Sequence, residues 1–288
     1  MGGLRGYRHE QAQRLATDRR HNSSCIPWKM NESLEQLIRD KLSIMQWSPE
    51  QISGWLKANP ERGQAISHEW IYQYIWADKR AGGTLYKHLR HHGKKYNKRK
   101  HSKNGRGMIP NRRDISERPA IVEEKSRIGD WEGDTIIGKN HRGVLLSLVD
   151  RHSKVTLLAR LPAKKARLVE QAITLRLQPF KEAVHTITFD NGMEFANHQN
   201  IAENLNADCF FATPYHSWER GLNEHTNGLV RQYFPKKTNL AMLTHGNIAK
   251  VQWLLNNRPR KILNFKTPAE VFSQALNLSN THPVALRC

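Results

Sequence analysis

Three carboxylates far apart in the chain sit in stretches that single them out: Asp134 in GDWEGDTIIG, Asp190 in TFDNGMEF and Glu224 in HSWERGLNEHTNGLVRQYFPKK. The first two are 56 residues apart, and 33 residues separate Asp190 from Glu224. Taken singly, each has an ordinary reading. Asp190-Asn191-Gly192 is a turn sequence, Asp134 a strand-end acid, and Glu224 a solvated residue on an amphipathic helix. Brought together, bare carboxylates repel one another, and hard divalent cations such as Mg²⁺ or Mn²⁺, which take oxygen ligands, neutralise them. Two such ions about 3.5–4 Å apart can activate a water or a 3′-hydroxyl and stabilise the leaving oxygen of an in-line phosphoryl displacement. Cys25, Cys209 and Cys288 are widely spaced and form no CxxC pair, so neither a zinc ribbon nor a disulfide framework is supported.

The elements around these acids predict how they meet. DWEGDTIIGK, GVLLSLVDRHSKVTLLARL and HTITFDNG are rich in Val, Ile, Leu and Thr and are broken by Gly, Asp and Asn, as strands are. ARLVEQAITLRLQPF and EFANHQNIAENLN read as helices, and ADCFFAT as one more strand. The order is three strands, helix, strand, helix, strand, helix, an α/β domain whose sheet needs cover on both faces and which fits a ribonuclease-H-like sheet. The last helix is entered through Pro214, carries Leu222 and Leu229, and closes before Pro235. In such a fold Asp134 lies in the first strand, Asp190 at the end of TITFD and Glu224 on the final helix, all at one end of the sheet. Near them, Asn223 and Asn227 are candidates to hydrogen-bond DNA or to orient the carboxylate, and Arg231 to pair a phosphate; each also reads as plain surface.

Upstream the period is helical. Leu34, Leu37, Ile38 and Leu42 fall on one face of a helix. WSPEQISGWLK offers Ser48 as N-cap, Pro49 at the first helical position and Gln51 as capping-box partner, with Ile52, Trp55 and Leu56 inward. ISHEWIYQYIWAD follows with Ser67 as cap; Trp70, Ile71, Tyr74 and Ile75 form one side, and His68, Glu69, Tyr72 and Gln73 the other. A turn containing Asn59-Pro60 and Gly63 links the last two, the pattern of a helix-turn-helix whose final helix reads the major groove through residues such as His68 and Gln73. GYRHEQAQRLATDRR is a further basic helix with no visible partner.

Charge points to the same kind of partner. The formal net charge is +20, and residues 1–113 carry 23 Lys/Arg against 9 Asp/Glu. From Lys87 to Arg113 there are eleven Lys/Arg, four His and no acid; this run cannot bury a core and suits a polyanion, with Lys94, Lys95, Lys98, Arg99 and Lys100 its densest part. An anionic membrane surface or ribosomal RNA would also attract it, and it also reads as a merely solvated tail; DNA or RNA is the expected partner. No apolar run approaches the roughly 20 residues of a membrane helix, and MGGLRGYRHE lacks the apolar segment of a secretory signal, so the expected setting is the cytoplasm, in association with the nucleoid.

At GDWEGDTIIG, TFDNGMEF and PYHSWERGLNEHTNGLVRQYFPKKT the chain resembles the IS30 family of insertion-sequence transposases, within the DDE transposase and retroviral integrase superfamily. NNRPRKILNFKTPAEVF is similar to the closing segment of that catalytic domain, and WSPEQISGWL to IYQYIW extends the likeness upstream. The resemblance implies that Asp134, Asp190 and Glu224 are the catalytic and metal-ligating triad. It further implies binding of an element's terminal inverted repeats, with Mg²⁺- or Mn²⁺-dependent cleavage and strand transfer by chains that assemble as homo-oligomers on double-stranded DNA. The expected organisation is a helix-turn-helix region over residues 1–86, a basic linker over 87–119 and a ribonuclease-H-like integrase catalytic core over 120–288. Members of the family usually carry another helix-turn-helix ahead of the GYRHEQAQR-like segment, so a shortened first module is expected here. A catalytically silent remnant acting as a DNA-binding regulator, and a nuclease that only hydrolyses, are the alternative functions.

Overall fold

The Val- and Leu-rich stretches in the second half form an antiparallel meander of β1 (Asp130–Ile137), β2 (Val144–Asp150) and β3 (Thr156–Leu161). β4 (Thr186–Phe189) and β5 (Asp208–Phe211) then add to the free edge of β1 in parallel, giving the order β3-β2-β1-β4-β5. Every residue of β2 is buried, as a strand covered on both faces must be. The computed structural model describes residues 9–24, 30–90, 109–214, 216, 219 and 221–277.

One face of the sheet packs against α6 (Ala166–Leu177), α7 (His198–Leu205) and α10 (Pro268–Ala275), with Trp131, Leu146, Leu148 and Phe189 meeting Val169, Ile173, Ile201 and Phe272. The other face packs against α8 (Gly221–Tyr233) and α9 (His245–Asn256), with Ile136, Leu145 and Leu158 meeting Leu229, Val230, Val251 and Leu255. This is the ribonuclease-H-like α/β sheet that the order of elements predicts, preceded by a helical region.

That region holds α1 (His9–Ser24), α2 (Glu32–Ser43), α3 (Pro49–Ala58) and α4 (His68–Arg80). α2 to α4 share a core of Leu34, Ile38, Leu42, Ile52, Leu56, Ile71, Tyr74 and Ile75, while Leu37, Trp55 and Trp70 pack at its margin. The caps that the sequence suggests form: Ser48 and Gln51 complete a capping box, and Ser67 accepts from Trp70 N–H at 3.4 Å; Asn31 caps α2, accepting from Leu34 N–H at 2.8 Å. The connection between α3 and α4 differs from a tight helix-turn-helix turn of 3–4 residues. It runs from residue 59 to 67 through a 3₁₀ turn at Pro60–Arg62, pinned by Ser53 Oγ donating to Ile66 O at 2.7 Å.

The helical region rests on the α/β domain along a narrow seam. Lys261 Nζ meets Glu50 Oε1 at 2.6 Å, Gln232 Nε2 donates to Gln46 Oε1 at 2.9 Å, and the Phe265 ring lies against Gly54. A Cβ at Gly54 would stand 2.1 Å from Phe265 Cε1, so glycine is what lets the ring reach the helix. Gly54→Val should therefore destabilise the chain by about 1–3 kcal/mol through overpacking. Adding Phe265→Ala should recover most of that loss in urea unfolding; additive effects of the two substitutions would show that this contact does not join the parts.

Candidate catalytic site

The parallel ladder between β1 and β4 pairs Asp130 with Thr186, Trp131 with Ile187 and Glu132 with Thr188. The ladder ends there; continued two residues further, its register would bring Asp134 level with Asp190, the residue just after β4. Because side chains alternate along a strand, both lie on the face of Glu132 and Thr188, on strands about 4.8 Å apart. That face lies under α8: Asn227 Nδ2 donates to Asp134 Oδ2 at 2.7 Å. Glu224 is three residues before Asn227, one helical turn back on the neighbouring stripe of α8, and is exposed.

Each aspartate is held in place. Asp134 Oδ1 accepts from Thr135 N–H at 2.8 Å, and Ser147 Oγ on β2 donates to Asn227 Oδ1 at 2.9 Å, so the asparagine is fixed by one strand while it orients the carboxylate of the next. Asp190 Oδ1 accepts from Gly192 N–H at 2.9 Å, which closes the turn after β4. Asn191 is buried, takes a hydrogen bond from Arg112 and donates to Ala212 O at 2.6 Å. Glu194 folds back beneath this turn, accepting from Thr135 Oγ1 at 2.9 Å and pairing with Lys164 at 2.8 Å. A Cβ at Gly192 would lie 2.3 Å from Glu194 Oε2. The glycine of Asp-Asn-Gly thus makes room for the glutamate that ties the Asp190 turn to β1.

A buried charge network sets the start of α8. Glu132 Oε2 accepts from Asn223 N–H at 3.2 Å, while Glu132 Oε1 pairs with Arg151 at 2.6 Å. Arg151 also reaches Glu123 at 3.0 Å, on α5 (Ala120–Glu124), and Arg118 pairs with Glu123 while donating to Thr188 Oγ1 at 2.8 Å. Glu132 and Arg151 are 2% and 3% exposed, so neither charge is tolerable without the other. Burial, then repulsion from Arg151, lowers the pKa of Arg118; burial raises that of Glu123, but Arg118 and Arg151 outweigh it and hold the carboxyl below its usual range. At the other end of α8, Arg231 donates to Ile137 O at 2.7 Å.

These contacts revise the roles expected of the neighbours. Asn227 orients Asp134. Asn223 is wholly buried, its amide without a hydrogen-bond partner, so it is not presented to DNA. Arg231 is half-buried and spent on backbone carbonyls rather than presented as a phosphate contact. His68 and Gln73 lie with Tyr72 and Trp76 on the exposed face of α4, and His68 stands 3.0 Å from Glu69. Lys94, Lys95, Lys98, Arg99 and Lys100 lie outside the described residues. Glu132 and Glu194, which the sequence did not single out, stand inside the same motifs as Asp134 and Asp190; their signal is a second acid two residues before one aspartate and four after the other. Among the described residues, no three of His, Cys, Asp and Glu are gathered as ligands of one metal ion. Asp134 lies within β1 and Asp190 directly follows the adjacent parallel strand β4, while Glu224 is on the covering helix.

No family model matches the chain. It is 45% identical over 274 residues, spanning 94% of its own length and 82% of the relative's, to the transposase for insertion sequence element IS4351 of Bacteroides fragilis. It is 39% identical over 258 residues, 87% of its length and 67% of the relative's, to the transposase InsI for insertion sequence element IS30A of Escherichia coli K12. Among solved structures, the catalytic core domain of BIV integrase matches with a TM-score of 0.40 and 20% identity over 52% of this chain and 96% of that one. With these relatives covering most of its length, the chain belongs to the IS30 family of insertion-sequence transposases.

Proposed function

We propose that this transposase binds the terminal inverted repeats of an insertion sequence and cuts and joins DNA strands by metal-assisted phosphoryl transfer, with Asp134, Asp190 and Glu224 as its triad. One observation supports the reading: Asp134 lies on the face of β1 covered by α8, bonded to Asn227 of that helix, and the adjacent parallel strand β4 leads directly into Asp190. Two carboxylates set side by side, with Asn227 orienting one of them, are the oxygen donors that Mg²⁺ or Mn²⁺ takes. When bound, such ions supply charge neutralisation and a nucleophile at neutral pH. The chain's own part is positional. Asn227 and the Gly192 turn aim the two aspartates, Glu132 and Arg231 fix the two ends of α8, and Glu224 completes the set from that helix. The exposed face of α4 and the basic segment after it bind the duplex.

Asp134→Ala, Asp190→Ala and Glu224→Gln should each reduce cleavage and joining of element-end DNA to background while leaving DNA binding intact, and Ca²⁺ should support binding only. An active Glu224→Gln enzyme would remove Glu224 from the triad.

Asn227→Ala acts one step out. It should slow cleavage about 10–100-fold and raise the Mg²⁺ concentration needed for half-maximal rate, with unchanged DNA affinity. A fall in affinity with an unaltered Mg²⁺ requirement would assign Asn227 to DNA contact instead.

One chain carries one triad, and an insertion sequence has two ends, so the active complex contains at least two chains on DNA. Mixing wild-type with Glu224→Gln chains should cut paired-end products more steeply than dilution does; a strictly linear loss would mean that chains act singly.

A further inference from the structure

Between the helical region and the α/β domain lies a cleft of about 760 Å³, and its charge is unbalanced. Every carboxylate lining it is already engaged: Glu50 with Lys261, Glu123 and Glu132 with Arg151, and Glu219 with His216. Arg258 and Arg260, from the NNRPRK segment, also line it. They are 3% and 9% exposed, and among the described residues neither has a carboxylate partner. Arg258 donates only to neutral acceptors, Tyr233 Oη at 2.5 Å and Gln232 Oε1 at 3.3 Å; Arg260 donates to Leu255 O at 3.2 Å. Among the described residues, the Nε–H of each arginine has no acceptor.

One further cationic group and an imidazole converge on the same space. Arg90, the last described residue of the helical region, brings its guanidinium to 3.1 Å from where a Cβ of Gly228 would stand, on the turn of α8 that follows Glu224. His225, next to Glu224, lines the cleft as well. Burial and then Arg258 push the Arg260 guanidinium down to about 9. A protein that buries guanidinium groups without a counter-charge bears several kcal/mol of desolvation for each, and an anion bound in the cleft removes that cost.

We propose that Arg258 and Arg260, with Arg90 at the rim and His225 beside them, form a pocket for one backbone phosphate of the DNA strand presented to Glu224. The planar, forked guanidinium suits a phosphodiester, and the unused Nε–H groups supply the donors. Because the pocket has walls from both parts of the chain, the occupied cleft ties the helical region and the α/β domain to the same DNA. The assignment of the phosphate to DNA rests on the transposase reading; the existence of an anion pocket does not.

Two measurements separate these. First, inorganic phosphate, compared with chloride at matched ionic strength, should raise the melting temperature of the wild-type chain by about 2–4 °C at roughly tenfold excess over its dissociation constant. The Arg258→Gln/Arg260→Gln chain should lose that rise. An equal rise in both chains overturns the pocket. Second, the slope of log affinity against log salt for a nonspecific duplex, measured by fluorescence anisotropy in Ca²⁺, should be smaller in magnitude by about 0.9 in the double variant, which neutralises one phosphate fewer. An unchanged slope overturns the assignment to DNA. Arg90→Gln, at an exposed residue, should weaken both signals in the same direction and carries the test if the double variant does not fold. Glu224→Gln should keep both signals, so failure of the triad assignment would leave them in place.

Discussion

The parallel pairing of β1 with β4 is the constraint on which the rest of the site depends. The observed register pairs Glu132 with Thr188, and strand alternation carried two residues further puts Asp134 and Asp190 on that same face. A slip of one residue would turn one of them to the opposite face, into the layer of Trp131 and Phe189, and separate the carboxylates by the thickness of the sheet. The register is strongly specified because the alternate residues on both strands are large and buried: Trp131 and Ile187 belong to the core under α6 and α7 and have no place beneath α8. Packing on one face of the sheet therefore fixes chemistry on the other.

The polar groups that share the α8 face work differently. Arg118, Glu123, Arg151 and Glu132 make a connected set that reaches from α5 through the end of β2 to β1 and the first turn of α8. A set of this kind contributes little net stability, because desolvation offsets the Coulomb attraction, but it allows few alternative arrangements. Asp150 extends the buried polar layer. Its carboxylate accepts from Gly129 N–H and from Ser153, and burial raises its pKa against those hydrogen bonds. The helix bearing Glu224 is thus located by directional contacts at both ends and by the apolar packing of Leu229 and Val230 in between.

Much of this was legible in the sequence, because local periodicity carries it. The order of strands and helices, the caps at Ser48 and Ser67, the inward faces of α2 to α4, and the placement of Asp134 in the first strand and Asp190 at the end of the fourth follow from spacings within short windows. What escaped depends on partners distant in the chain. Glu132 and Glu194 stand in the same motifs as the aspartates, but their roles come from Arg151, Lys164 and Thr135, which no window contains. Asn223 and Asn227 are one turn apart on the same helix and look alike; only the heights of Glu132 and Asp134 on β1 decide that one donates its backbone N–H to a buried acid and the other its side-chain amide to the Asp134 carboxylate. Arg231 looked like a phosphate contact for the same reason: Ile137 O is 94 residues away.

The two aspartates also differ in compliance. Asp134 lies inside a strand, paired with Ser147 and followed by three more laddered residues, so its backbone moves only if the sheet moves. Asp190 follows the last residue of β4, where side-chain bonds from Asn191 and Glu194 replace the ladder. Side-chain ties give more readily than a strand in mid-sheet. One carboxylate is therefore as rigid as the sheet itself, and the other sits on a turn whose ties can give without any strand moving.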